Sequence, residues 1–245
     1  MKTKSAALSK SMGLLRRFAP RKSFVLIIIA LAACAGKPEP DHQKSSAPVD
    51  SNQISRTDTV INFEAMESGK PPLGFTQTYT GKKQTIDWQI VTDNGNKVAA
   101  QLAKNKGNYF NLLVLDSPAY ENFTLSVKIK AIGGEEDQGG GLVWRYVDNN
   151  NYYIARYNPL EKNFRLYHVV EGKREQLKSV GGNIGSGEWF TLAIAMKGNA
   201  ITCSLNGTKM IDAADDTFSK AGRVGLWSKA DAQSYFDDLT IVPIK

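Results

Sequence analysis

Two kinds of side chain concentrate in one short stretch of this sequence. Trp144, Arg145, Tyr146, Tyr152, Tyr153, Arg156 and Tyr157 place five rings and two guanidinium groups within fourteen residues. Rings offer flat apolar faces and arginine offers planar, paired donors, so together they suit a ligand that has both C–H faces and hydroxyl groups. Trp227 is a second place of this kind. It precedes the polar loop Ser228-Lys229-Ala230-Asp231-Ala232-Gln233, and a Trp there either stacks on a ligand ring or closes a core, with Lys229 and Asp231 at the rim. Covalent chemistry is less marked. Two Cys and two His in 245 residues exclude a disulfide scaffold and a four-ligand zinc site built from Cys and His. His168 sits in the middle of an apolar-alternating run, and no Ser or Cys motif accompanies it, so a nucleophile–His–acid triad is not expected. Gly139-Gly140-Gly141 leads into a strand-like run rather than a helix, which removes the phosphate-loop reading. Glu64 and Glu67 have the wrong spacing to set two carboxylates on one strand face, as paired-carboxylate hydrolysis would need.

The elements that must carry these residues alternate with a period of two. Phe123, Leu125, Val127 and Ile129 share one side, with Thr124, Ser126, Lys128 and Lys130 on the other. Phe190, Leu192, Ile194 and Met196 repeat the pattern, and so do Ile201, Cys203 and Leu205, which makes Cys203 a small core residue. Glu171-Gly172, Gly198-Asn199 and Asn206-Gly207 mark tight turns between such runs, and tight turns join antiparallel neighbours. We expect about a dozen to fourteen strands and no amphipathic helix, apart from a short helical turn at Ala213–Lys220. An all-β chain over 59–245 without repeats is too large for a small barrel, so two packed antiparallel sheets are expected. Alternation further predicts that Val143, Arg145 and Val147 face one way, and Leu142, Trp144 and Tyr146 the other. On the next strand Tyr152, Ile154, Arg156 and Asn158 share a face.

The domain is preceded by what reads as an address. Residues 1–33 hold seven basic residues and no acidic one, then the apolar run FVLIIIALAA at 24–33, too short to span a bilayer. This is a signal-peptide pattern. Its end, Leu31-Ala32-Ala33-Cys34, resembles the bacterial lipobox, which implies cleavage before Cys34, a lipid on Cys34 and a membrane anchor without a transmembrane helix. Ala35 after the Cys implies the outer rather than the inner membrane. Residues 35–58 contain three Pro and almost no large apolar side chain, the composition of a tether. The net charge of +7 comes from residues 1–33: removing their seven basic residues leaves 24 basic and 24 acidic residues over 34–245. A neutral domain gives no reason to expect nucleic acid.

Several stretches, taken together, resemble a known superfamily: INFE at 61–64, LGF at 73–75, GGGLVWRYVDNNNYYIARYNP at 139–159, LYHVVEGKREQL at 166–177, GEWFTLAIAMKG at 187–198, SLNGTKM at 204–210 and GRVGLWSKADAQSYFDDLTI at 222–241. Their order is similar to that of the concanavalin A-like lectin/glucanase superfamily, and more narrowly to the laminin-G-like bacterial family of 3-keto-disaccharide hydrolase domains. The resemblance covers essentially all of 59–245 and implies a jelly-roll sandwich with a carbohydrate or glycoside ligand on the concave face of one sheet. It carries over Arg145 and Arg156 alone as ligand contacts, while Tyr152 and Trp227 are ligand candidates from their residue types and positions. Arg145 and Arg156 have an alternative use, as structural partners of Glu161 and Asp148. Where the family often has a Glu, this chain has Ile154. Three functions follow as expectations: an envelope-anchored carbohydrate-binding lipoprotein, a 3-keto-glycoside hydrolase, or a protein-binding adhesion module. In the hydrolase reading a base removes the proton next to the ketone, and Glu161 and Asp231 are the candidate bases, with Arg145 or a metal as electrophile. Jelly-roll modules also hold calcium between their first and last strands, which makes Glu64, Asp237 and Asp238 candidate ligands of a structural Ca²⁺.

Overall fold

The computed structural model describes residues 57–244. The expected signal peptide at 1–33, Cys34 and nearly all of the tether lie outside the described residues. Among those described there are fifteen strands and no helix. The first five are β1 (Thr59–Ile61), β2 (Phe75–Thr80), β3 (Trp88–Asp93), β4 (Asn96–Gln101) and β5 (Phe110–Leu115). Next come β6 (Phe123–Gly133), β7 (Gly140–Asp148), β8 (Asn151–Asn158), β9 (Asn163–Val170) and β10 (Lys173–Gly181). The last are β11 (Trp189–Lys197), β12 (Ala200–Leu205), β13 (Thr208–Ala214), β14 (Arg223–Lys229) and β15 (Gln233–Pro243).

All pairings are antiparallel and form two sheets. One has the order β13-β12-β11-β6-β15-β4-β3, with β1 paired to the far part of β15; the other has the order β10-β9-β8-β7-β14-β5-β2. This is the expected all-β sandwich. The alternating runs do what their period requires. Leu125, Val127 and Ile129 of β6 and Phe190, Leu192, Ile194 and Met196 of β11 enter the core, where they meet Leu142, Trp144, Tyr153, Ala155 and Leu226 from the seven-stranded sheet. Cys203 is fully buried among them, and burial pushes its thiol up to about 12. No helical turn forms at 213–220. There β13 runs on to Ala214, and Asp215 Oδ1 then accepts the Thr217 N–H (2.9 Å) and the Tyr153 hydroxyl (2.5 Å), a local bond that competes with helix.

The seven-stranded sheet is apolar on both sides. Its outer face carries a second cluster: Phe110, Leu112, Val114, Val143, Tyr146, Tyr152, Ile154, Val169 and Trp227. This explains why β5 reads as an unbroken run, FNLLVL, with every residue buried.

Alternation fails at one place. Gly225 pairs with Val143 and Arg223 with Tyr146, so two residues of β7 face one of β14. This is a β-bulge, with Arg145 at φ 49°. It turns Tyr146 onto the outer face beside Val143, opposite to the side alternation predicts, and leaves Val147 62% exposed. Gly222 is required by the same kink, because a Cβ there would lie 2.5 Å from the Arg145 carbonyl carbon. Arg145 leaves the face of Val143. Its buried guanidinium donates to the Glu121 carbonyl (2.8 Å), while Nε and Nη1 find no hydrogen-bond partner.

Candidate functional site

The outer face of the seven-stranded sheet changes character from end to end. The apolar cluster fills one part, and charged groups from β8, β9, β10 and β14 fill the next. Tyr152, Ile154, Arg156 and Asn158 do share this face, as alternation requires, because β8 is regular throughout its pairing with β9. Tyr152 is fully buried and its hydroxyl bonds the Thr80 hydroxyl.

Arg156 is the hub. Its side chain is 3% exposed, and Nη2 lies 2.8 Å from Glu161 Oε2. It also donates to Asn163 Oδ1 (2.5 Å) and to the Tyr167 hydroxyl (3.2 Å). Arg165 reaches the same Glu161 oxygen at 3.3 Å. Burial by itself would raise the Glu161 pKa, but Arg156, Asn163 and Arg165 outweigh it and hold the carboxyl below its ordinary value. Above Tyr167 lies Arg174, whose guanidinium carbon is 4.4 Å from the Tyr167 ring centroid, 5.1 Å from Phe110 and 5.7 Å from Trp227. A guanidinium stacked on three rings is a strong contact. Its Nη1 is buried with no hydrogen-bond partner. Trp227 is 1% exposed and packs at 5.3 Å from Phe110; it belongs to this outer cluster and not to the core between the sheets.

Asp137 lies beside the hub and was not marked by the sequence. It is 4% exposed. Oδ1 accepts from Asn158 (2.7 Å) and Oδ2 from the Lys229 ammonium (3.0 Å). Burial raises its pKa above the ordinary carboxylate value, and Lys229 offsets only part of that rise. Asp231 positions it from the loop after β14. Its carboxylate accepts the backbone N–H groups of Glu135 (2.7 Å), Glu136 (3.1 Å) and Asp137 (2.9 Å). Burial would raise the Asp231 pKa, but these three donors outweigh it and hold the carboxyl low.

The candidates from the sequence separate accordingly. Arg156, Tyr152, Trp227 and Glu161 come together on one face. Asp231 supports that face from behind. Arg145 does not reach it, since the bulge sends the side chain to the Glu121 carbonyl. The pairing of Arg156 with Glu161 is real, while Asp148 turns to the Asn150 N–H (2.7 Å) and the Asn151 amide. Glu64, Asp237 and Asp238 do not assemble. Glu64 accepts the Lys97 N–H at 3.0 Å, Asp237 accepts from Asn96 at 2.8 Å, and Lys128 places its ammonium 2.7 Å from Asp238. A cation of the chain already sits where a calcium ion would bind Asp238, so this set does not fit the metal. Among the described residues no group of three or more His, Cys, Asp or Glu could hold one.

A two-sheet antiparallel sandwich of this strand order defines a jelly-roll domain with a concanavalin A-like fold. Solved structures share the fold. A family 66 carbohydrate-binding module from Bacillus subtilis superposes with a TM-score of 0.56 at 19% identity, covering 68% of this chain and 93% of that one. A family 16 glycoside hydrolase from Bacteroides ovatus, solved with a mixed-linkage glucan product, gives a TM-score of 0.55 at 12% identity over 75% of this chain and 99% of its own. No curated protein matches the chain. Residues 63–242 match the model of the 3-keto-alpha-glucoside-1,2-lyase-like domain, and the chain belongs to that family.

Proposed function

We propose that the outer face of the seven-stranded sheet binds a glycoside carrying a ketone at C3, and that Asp137 is the base that starts its elimination. The observation that carries this reading is Asp137 itself: a buried carboxylate of raised pKa, between the Lys229 ammonium and the amide of Asn158, which follows Arg156 by two residues on β8. The two carboxylates expected from the sequence are less suited, since Glu161 is paired to two arginines and Asp231 is committed to backbone donors.

A ketone at C3 acidifies the C2 proton. Asp137 takes that proton, and the electron pair moves into the C2–C3 bond, leaving negative charge on the ketone oxygen. Lys229 and Arg156 supply the positive charge that stabilises it. Return of the pair to form C1=C2 breaks the C1–O bond. The leaving oxygen takes up the proton and departs as an alcohol, and the sugar is left as an unsaturated 3-keto glycal. No oxidant is consumed, and later addition of water across C1=C2 completes hydrolysis.

The test is release of p-nitrophenol from p-nitrophenyl 3-keto-glucoside by the full chain and by Asp137→Asn. Loss of about 10²–10⁴-fold in turnover, with binding kept within a few-fold, is the expected result. Full turnover by Asp137→Asn would remove Asp137 from the role. A second reading, binding without turnover, is favoured by one observation: both Asp137 oxygens are already hydrogen-bonded. It would be supported by a wild-type chain that binds glycosides through Arg156 and releases nothing.

The proposal also places the domain in the bacterial envelope, with residues 1–33 as signal peptide, Cys34 as the lipidated residue and 34–58 as tether. Cys34→Ser should move the protein from the membrane fraction to the soluble one. Retention in the membrane fraction would overturn the anchor.

A further inference from the structure

The eight-stranded sheet carries a cleft on its own outer face, on the opposite sheet from the groups above. Its volume is about 370 Å³, and Asp93, Asn94, Asn96, Lys128, Trp189 and Asp237 line it. That volume is at the small end of the range for small-molecule sites, about 300–1,000 Å³.

Two local devices build it. β3 and β4 are joined through Asn94-Gly95 with φ of 52° and 89°, the tight turn that matches strand twist and fixes its flanking residues rigidly. It presents Asp93, Asn94 and Asn96 at one edge. β15 meanwhile carries a bulge between Asp237 and Thr240, with Asp238 at φ 50°. At that bulge β15 leaves β4, which pairs with Ser234–Phe236, and takes up β1 from Leu239 onward. Asp237 is left at the bottom of the opening, 7% exposed, with Oδ2 held by Asn96 at 2.8 Å and Oδ1 by the Asp238 N–H at 2.8 Å.

The opposite wall is aromatic. Trp189 is 37% exposed, whereas Trp88, Trp144 and Trp227 are 2% or less. Lys130 lies across the row, 5.7 Å from the Trp189 ring centroid, 5.9 Å from that of Tyr235 and 2.8 Å from Asp93 Oδ2. The one solvent-facing indole among the four tryptophans lies beside the half-buried Lys130–Asp93 ion pair and shares the cleft with amides and carboxylates. Both ammonium groups are taken, Lys130 by Asp93 and Lys128 by Asp238, and Asp237 is left to the Asn96 amide.

We propose that this cleft is a second, separate carbohydrate site, which takes one neutral pyranose unit. The C–H face of the sugar stacks on Trp189. Its vicinal hydroxyls donate to Asp93 and Asp237 and accept from Asn94 and Asn96. An acidic sugar gains nothing here, because both ammonium groups are already paired, and a charge moved out of water needs a free partner.

The experiment uses acrylamide quenching of the full chain, because Trp189 is the accessible fluorophore among the four tryptophans. D-glucose, D-galactose, D-mannose and D-xylose are titrated, with glucuronate and calcium chloride as comparisons. At least one neutral sugar should protect Trp189 saturably, with Kd of about 1–10 mM. Asn94→Gly keeps the turn backbone and the reporter but removes the amide, and should weaken protection about tenfold. Glu161→Gln, on the other sheet, should leave it unchanged. Protection by none of the neutral sugars, equal protection by glucuronate, protection by calcium alone, or protection lost in Glu161→Gln but kept in Asn94→Gly would each overturn the proposal.

Discussion

Lys229 and Asp137 lie 92 residues apart in the chain and meet with Nζ 3.0 Å from Oδ2. β14 delivers one and the loop before β7 delivers the other. The contact offsets part of the pKa rise that burial imposes on Asp137, a deeply buried carboxylate on the outer side of the seven-stranded sheet, and it makes the pH dependence of the proposed reaction specific.

Asp137 acts as a base only when ionised, and burial raises its pKa while Lys229 lowers it. Turnover should therefore rise with pH through a value above the ordinary carboxylate pKa of about 3.9. Lys229→Ala should move that rising limb to still higher pH, measured as kcat against pH. The same shift affects stability in the opposite sense. A carboxyl raised on folding stabilises below its unfolded pKa, and that contribution is lost as pH rises through the folded value. Asp137→Asn should abolish this loss in urea denaturation curves run at a series of pH values.

Asp231→Ala should cost about 0.5–1.5 kcal/mol, since water can take over the exposed donors at Glu135 and Glu136 and only the partly buried Asp137 N–H loses its partner. The urea midpoint should fall with an unchanged slope. Because the Asp231 pKa is depressed on folding, its contribution exists above the unfolded pKa and disappears as pH falls through the folded one. The difference between wild type and variant should shrink on acidification.

Arg145 and Arg156 should separate by measurement. Arg145→Ala should lower the unfolding free energy by about 1–3 kcal/mol through loss of the Glu121 carbonyl contact, seen as a lower urea midpoint, yet leave turnover and ligand affinity per folded molecule intact. Arg156→Lys should lose affinity, because one ammonium cannot replace a fork that bonds Glu161, Asn163 and Tyr167 together. Binding of the 3-keto-glucoside, followed by calorimetry, checks both.

In a Cys34→Ser background Cys203 should not react with a thiol reagent until the domain unfolds. It is fully buried with its pKa pushed up to about 12, and the thiolate is the reactive form. The rate of labelling against urea concentration should follow the unfolding transition.

Much of the architecture was legible because β-structure writes its period locally. The alternation in β6, β11 and β12 named the core residues, including Cys203, and the regular β8 put Arg156 and Asn158 on one face with Tyr152. The expectation failed where pairing with a distant strand intervened. Nothing in Leu142–Asp148 says that β14 will oppose two of its residues with one, so Arg145 and Tyr146 were assigned to the wrong sides. Likewise, Glu64, Asp237 and Asp238 looked like a ligand set because β1 and β15 are indeed neighbours. Lys97 and Lys128, brought in from β4 and β6, claimed two of the three carboxylates.

Residue types and their spacing were enough, by themselves, to determine a two-sheet antiparallel sandwich and an aromatic and arginine surface on it. These depend on contacts within a strand or across one tight turn. Which carboxylate is buried, which arginine reaches the outer face of the seven-stranded sheet and where a bulge opens a cleft were decided only by tertiary structure. Asp137, in the run Glu135-Glu136-Asp137, reads as a solvated acidic loop until Asp231 caps it and Lys229 and Asn158 close over it. Ionisation depends on burial and on neighbouring charge, and in this fold both come from segments tens of residues away.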